Sequence, residues 1–327
     1  MCKYLFLLLF LLSLPTTTPV GAADWKPDKH VELVVSVAAG GNQDMTARTI
    51  QRIWQEHRVV PNSLVINKPG GGGNLAYLYM NQHQRDAHTL MLLAPTMFTN
   101  RITGSSTAQL SDYTPLAMLF NENIFISVKA DSPIKTGRDL IEQLRRDPAA
   151  LSVAIATALG NHIHMGIALP MKVAGVDVRK MKVVAFKSSG DSLTAVAGGH
   201  VDVAASTFGT VLPHLAAGRV RVIAVSAAQR LPGALSTIPT WKEQGVNTTF
   251  ASWRGVIGTK GIGEAQIAYY DQAFAALSAT DEWKKDVDKN YWVNNYLPSR
   301  EAGQYWTAQY RELEEILTEL GLAKKAN

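Results

Sequence analysis

The stretch Val31-Glu32-Leu33-Val34-Val35-Ser36-Val37-Ala38-Ala39-Gly40-Gly41-Asn42-Gln43-Asp44 decides the fold. Val31–Val37 is rich in branched apolar residues, as a buried strand requires, and Ala38-Ala39-Gly40-Gly41 breaks the run. Asn42 reads as the N-cap of a helix, because Ala47, Ile50, Ile53, Trp54 and His57 then recur three or four apart on one face. Strand, glycine turn and helix together make one βα unit. Repeated, such units build a parallel sheet flanked by helices.

The pattern continues outward from this start. Strand-like runs at Ser63–Asn67, Thr89–Ala94, Pro115–Phe120 and Asn123–Lys129 alternate with amphipathic stretches, and Lys68-Pro69-Gly70-Gly71-Gly72-Gly73 turns the chain before a helix at Asn74. A second, similar series begins near Thr136, with strands Leu151–Ala156, Lys182–Phe186, Val201–Ala205 and Val220–Val225. In it Thr157–Gly160 is a turn, Asn161 opens a helix, and Ser188-Ser189-Gly190 reads as a loop. Thr249–Ile257 is a further strand and the rest is mainly helical. Ser299 caps a last helix whose Trp306, Tyr310, Leu313, Leu317 and Leu320 form an apolar stripe. With 327 residues against the ~100–200 of one domain, an α/β chain of two lobes is expected.

Composition narrows the function. At 46% hydrophobic and 18% charged, the chain is neither fibrous nor charge-rich and disordered. Its net charge of +5 comes from scattered basic residues with no aromatic-interleaved stripe, so no nucleic-acid partner is expected. Lys3, the apolar run Tyr4–Leu14 and the small residues Gly21-Ala22-Ala23 read as a signal peptide over residues 1–23, cleaved after Ala23 or one residue earlier. That run is shorter than the ~20 residues of a membrane-spanning helix, so the product is expected to be soluble and exported to the periplasm. Cys2, the one cysteine, leaves with the signal, which removes disulfides, thiol nucleophiles and zinc–thiolate sites from consideration.

Helix N-termini carry unpaired N–H groups and partial positive charge. The turns Gly40-Gly41-Asn42 and Gly160-Asn161, one in each series, therefore suit a small carboxylate held between two lobes, although ordinary βα turns have the same spacing. Gly71-x-Gly73-x-x-Ala76 matches a degenerate dinucleotide fingerprint, but the strand after it ends in Pro95-Thr96 without the acidic ribose partner, so no cofactor is assigned. His162 and His164, two apart at a helix start, do not share a face and lack a third ligand, so no metal is assigned. His164 reads as a packed structural residue and His162 as a ligand contact. Neither G-x-S-x-G nor H-E-x-x-H occurs; Ser188, Ser189, Ser192 and Ser206 read as hydrogen-bonding loop serines, and Asp191 and Asp202 show no evident partner. No catalytic residue is assigned.

Three ordered motifs carry a resemblance: Gly40-Gly41-x-x-Asp44, then Val65-Ile66-Asn67-Lys68-Pro69-Gly70-Gly71-Gly72-Gly73-Asn74, then Val201-Asp202-Val203 running to Leu212-Pro213-His214-Leu215-Ala216-Ala217-Gly218-Arg219-Val220-Arg221. Ile223-Ala224-Val225-Ser226, Ile238-Pro239-Thr240 and Glu243-x-Gly245 follow. The chain resembles the Bug family, the extracytoplasmic substrate receptors of tripartite tricarboxylate transporters. The resemblance implies a two-lobed, type II-like periplasmic binding protein that closes on a small carboxylate without chemistry and passes it to integral-membrane transporter subunits; a monomer is expected. One lobe would be 24–123 plus 249–327 and the other 124–248, with crossings at Asn123–Ala130 and Thr248–Gly258. By matching positions, the implied ligand contacts are Ala39, Gly40, Gly41, Asn42, Asp44 and Thr96 from one lobe, with Ala158, Gly160, Asn161, His164, Lys187, Ser188, Ser189, Ser206 and Thr207 from the other. Asp44 equally suits a structural place in a helix's first turn. Departures fall at the ligand face: Ala38-Ala39 replaces a proline-rich loop, Asn161 beside His162 replaces a small hydroxyl residue, and Phe186-Lys187-Ser188 replaces Tyr-Lys-Gly. An exported enzyme on the same scaffold and a sensor feeding a membrane signalling protein are the alternatives.

Overall fold

The computed structural model describes residues 25–324; the expected signal peptide, with Cys2, lies outside the described residues. The first βα units place strand β1 (Val31–Val35) before helix α1 (Asn42–Glu56), β2 (Ser63–Asn67) before α2 (Asn74–Gln82), and β3 (Thr89–Leu93) before α3 (Thr96–Ile102). β1 pairs in parallel with both β2 and β3. The expected second series supplies α4 (Gly137–Arg146), β5 (Ser152–Ala156), α5 (His162–Val173), β6 (Lys182–Phe186), α6 (Ser189–Ala197), β7 (Val203–Thr207), α7 (Phe208–Ala216) and β8 (Val220–Val225). There β5 pairs in parallel with β6 and β7.

Between the two series runs β4 (Tyr113–Lys129), 17 residues long. Two strands were expected over this span, but the chain does not break. Up to Asn123 its partners are β9 (Ala251–Thr259) and β10 (Val293–Pro298); from Ile124 they are β7 and β8. All these pairings are antiparallel. α8 (Glu264–Ala279), α9 (Asp281–Lys289) and α10 (Ser299–Glu319) complete the chain. No helix among the described residues is long and apolar enough to cross a membrane.

Local chemistry explains most element boundaries. Asn161 caps α5, its side-chain oxygen accepting the His164 amide at 2.9 Å. Ser188 does the same for α6, which begins inside the expected loop Ser188-Ser189-Gly190: its hydroxyl accepts from the Asp191 amide at 3.2 Å and donates to the Asp191 carboxylate at 3.0 Å. Asp202 likewise has a partner, Ser152, whose hydroxyl and amide both donate to it. Two expected caps move by one residue. Gly41 caps α1 and leaves the Asn42 side chain free for other work, and Pro298 precedes α10 while Ser299 bonds Asp271.

Helices cover both faces of the sheets. Ile50, Ile53 and Trp54 of α1 pack on β1, with Trp54 tilted against Phe274 at 5.0 Å between ring centroids. Trp306 of the expected apolar stripe stacks on Trp253 of β9. Gly255 allows that approach: a Cβ there would stand 2.2 Å from Trp306 Cζ2 and 2.7 Å from the Ala117 carbonyl oxygen. Gly255→Ala should therefore destabilise the protein by about 1–3 kcal/mol through overpacking, read as a lower urea midpoint at unchanged slope.

Candidate functional site

The loops that end β1, β2, β3, β5 and β6 converge where the two series face each other. A Cβ at Gly41 would lie 3.2 Å from Ser188 Cβ, one at Gly72 would lie 3.3 Å from Ala158 Cβ, and one at Gly190 would lie 3.4 Å from the Gly40 carbonyl oxygen. Gly160 has φ +77°, and a Cβ there would stand 2.7 Å from Thr103 Cγ2. Small residues thus let backbone from each series approach the other. One side-chain hydrogen bond ties them: Thr96 at the start of α3 and Nδ1 of His162 at the start of α5 are 3.1 Å apart.

The sequence-derived residues divide into three groups. Gly41, Asn42, Thr96, Gly160, Asn161, His162, Ser188, Ser189, Ser206 and Thr207 are buried near this junction. Ala39, Gly40 and Lys187 are exposed, and Ala158 is half-buried at the edge. Asp44, Asn161, His164 and Ser188 are largely occupied by local structure. Asp44 accepts from the Gly40 amide at 3.0 Å, Arg48 at 2.9 Å and Asn67 at 3.0 Å, which ties the β1–α1 loop to its own helix. Burial raises the Asp44 pKa, but those bonds and the Arg48 charge outweigh it and hold the group below the ordinary carboxylate value. His164 Nδ1 receives the Gly160 amide at 2.9 Å and so shapes the turn from beneath.

Two charged residues absent from the sequence-derived set lie at the floor. Glu122 of β4 and Arg254 of β9 are each 2% exposed and pair at 2.5 Å. Asn42 donates its amide group to both Glu122 oxygens at 3.0 and 2.8 Å, and Arg254 also donates to Ser252 and to the Trp253 carbonyl. Burial pushes Glu122 up and Arg254 down, while each partner opposes the other's shift. Arg254 reaches the other series electrostatically: burial first, then the Arg254 charge, holds His162 well below the ordinary imidazole range. His162 is therefore neutral. A signal for this pair was present, since Glu122 is the one acidic residue of β4 and Arg254 the one charged residue of β9.

Around this floor several buried polar atoms have no protein partner: Asn42 Oδ1, Asn100 Oδ1, His162 Nε2, Ser206 Oγ, Thr207 Oγ1, Thr210 Oγ1 and Arg254 Nε. Buried groups of this kind are normally satisfied, which makes these atoms the candidates for contact with a polar molecule. Among the described residues no group of three or more His, Cys, Asp or Glu could hold a metal ion.

Comparison with known proteins agrees with this geometry. A family model described as the tripartite tricarboxylate transporter family receptor matches residues 47–322. A UPF0065 protein of Cupriavidus necator, in the gbd 5′ region, is 24% identical over 304 residues, spanning 92% of this chain and 90% of that protein. R. palustris Rpa4515, solved with adipate, superposes with a TM-score of 0.83 at 27% identity, covering 91% of this chain and 99% of that one. The periplasmic binding protein BugD gives 0.82 at 21% identity over 92% of this chain and 100% of its own. The fold is thus the two-lobed α/β architecture of periplasmic binding proteins, as the sequence reading expected.

Burial holds the His164 pKa at about 4, far below the ~6.5 of an exposed histidine. Above about pH 6.5 both folded and unfolded chains are neutral there; below it the unfolded chain binds a proton that the folded chain refuses. Stability should therefore fall by about 3 kcal/mol between pH 6.5 and 4 from this residue alone. Urea unfolding across that range should show the decline, and His164→Gln should make it shallower, leaving the share that comes from His162.

Proposed function

This chain belongs to the tripartite tricarboxylate transporter receptor family, and from that premise we propose that it is a periplasmic receptor. It captures a small organic acid by closing two lobes and delivers it to the membrane subunits of a tripartite transporter. Export would use the signal peptide over residues 1–23, and the receptor would act as a monomer without a catalytic step. The observation that carries this reading is the cluster of unpartnered buried polar atoms at the junction. His162, whose Nε2 is one of these atoms, joins the strand-end loops through its Nδ1 and Thr96.

The lobes would be 24–123 with 249–327, and 124–248. Supporting this division, β4 exchanges its partners between Asn123 and Ile124, and β9 returns to the first series beginning at Ala251. The ligand would touch Asn42, Thr96, Asn161, His162, Ser188, Ser189, Ser206 and Thr207, with backbone from Ala39, Gly40, Gly41, Ala158 and Gly160. Lys187 would stand at the rim. Asp44 and His164 would position the two loops. Contacts from both sides stabilise the closed state only while the ligand is present, which shifts the open–closed equilibrium.

Since Rpa4515 was solved with adipate, dicarboxylates head the ligand screen. A true ligand at 100 times its dissociation constant should add ~2.7 kcal/mol and raise the melting temperature, with saturable 1:1 binding and the acid recovered unchanged. Turnover of the bound acid would sink the receptor reading. Gly160→Asp places a carboxylate at the α5 turn and presses on Thr103, so it should abolish binding while circular dichroism stays that of the parent. Unchanged affinity would remove the β5–α5 loop from the site.

A further inference from the structure

The free atoms at the cleft floor are of mixed type, and their identity is fixed by what their neighbours can accept. Asn42 faces a carboxylate, which only accepts, so its NH2 points at Glu122 and its carbonyl oxygen is the free atom. Asn100 faces the Gly72 carbonyl at 2.7 Å, so its NH2 is again engaged and its oxygen is free. Both free oxygens can only accept. Arg254 offers the opposite: two of its nitrogens are engaged with Glu122, Ser252 and Trp253, while Nε–H is free and can only donate. His162 Nε2 and the hydroxyls of Ser206, Thr207 and Thr210 can serve either way.

Charge points the same way. The guanidinium of Arg254 is already balanced by Glu122, and the His162 imidazole is neutral. A buried junction with a balanced pair and unpartnered acceptors suits an acid that brings hydrogen-bond donors of its own. An unsubstituted diacid would leave both asparagine oxygens bare, at the full cost of a desolvated acceptor.

We propose that Arg254, held in place by Glu122 and Asn42, anchors one carboxylate of the ligand through its free Nε–H, and that the free oxygens of Asn42 and Asn100 make this receptor select acids carrying hydroxyl or ammonium groups. This rests on the receptor reading above and narrows it to a chemical class.

Succinate, malate and aspartate share a four-carbon skeleton and differ at one carbon by hydrogen, hydroxyl and ammonium. Isothermal titration of the purified protein should show malate or aspartate binding about tenfold or more tighter than succinate. Asn100→Leu, which leaves the Asn42 oxygen in place, should lower that ratio several-fold, a change that a purely structural asparagine would not produce. Removing both charges together, Glu122→Met with Arg254→Met, avoids stranding one of them and should weaken binding about 100-fold. Should that double variant not fold, Arg254→Lys decides the anchor: it keeps the charge, loses the fork, and should weaken binding about tenfold.

Equal binding of the three acids, or preference for succinate, overturns the selectivity, and undiminished affinity in the Arg254 variants overturns the anchor. Binding of none of the three overturns both. A saturable hit elsewhere in the organic-acid screen would still leave the receptor reading standing, whereas no saturable acid at all would defeat that reading too.

Discussion

Everything here hangs on one strand that serves two sheets. β4 runs without interruption from Tyr113 to Lys129, and its neighbours change between Asn123 and Ile124. Strand pairing and Ser226, whose hydroxyl accepts from the Ile124 amide and whose amide donates to the Ile124 carbonyl, satisfy the backbone through this change, but the side chain of Glu122 sits at the same point with almost no access to water. A lone carboxylate there would be prohibitively expensive to desolvate. Arg254 on the adjacent strand and Asn42 on α1 offset part of that penalty. The triad fixes how α1 meets the two crossing strands, and so where the β1–α1 loop faces its counterparts from the second series.

The contacts between those loops are neutral and short. Glycines at 41, 72 and 160 bring main chain close, and Thr96 meets an uncharged His162. Such contacts have modest net worth, since each replaces bonds that water would otherwise supply. On the receptor reading proposed above, a ligand that partners the unpartnered polar atoms would add the contacts this junction lacks. That weakness is what a reversible receptor requires: a strong apolar or ionic seam would hold the lobes shut whether or not a ligand were present.

Local sequence reading was most successful where one short motif carries one physical job. The βα turns at Gly40-Gly41 and Gly160-Asn161, the cap by Asn161 and the packed Trp306 stripe were all readable because their causes lie within a few residues. Asn121-Glu122-Asn123 misled for the opposite reason. Three polar residues in an apolar run look like a turn, and what keeps the strand going is distant: Tyr305 donates to Asn121, and Arg254 and Asn42 hold Glu122. α6 was hidden by Gly190 in its first turn, although Ser188 with Asp191 three residues on was a capping pattern in plain view. β10 alternates weakly and is half-exposed, so its strand character comes from β4 alongside it. Arg254 and Glu122 were missed because their meaning is a pairing between strands about 130 residues apart.

The route of the chain has a mechanical side. β1 and α10, the outermost elements of the described chain, both belong to the first series, while the stretch from Ala130 to Phe250 leaves and returns through two strands lying side by side. Tension between those outer elements would run through β1 and its neighbours and across the β4–β9 ladder. It would bypass the second series until that ladder sheared. Under load, about two-fifths of the described chain travels as a passenger, sheltered by the same pair of strands that carries the buried ions.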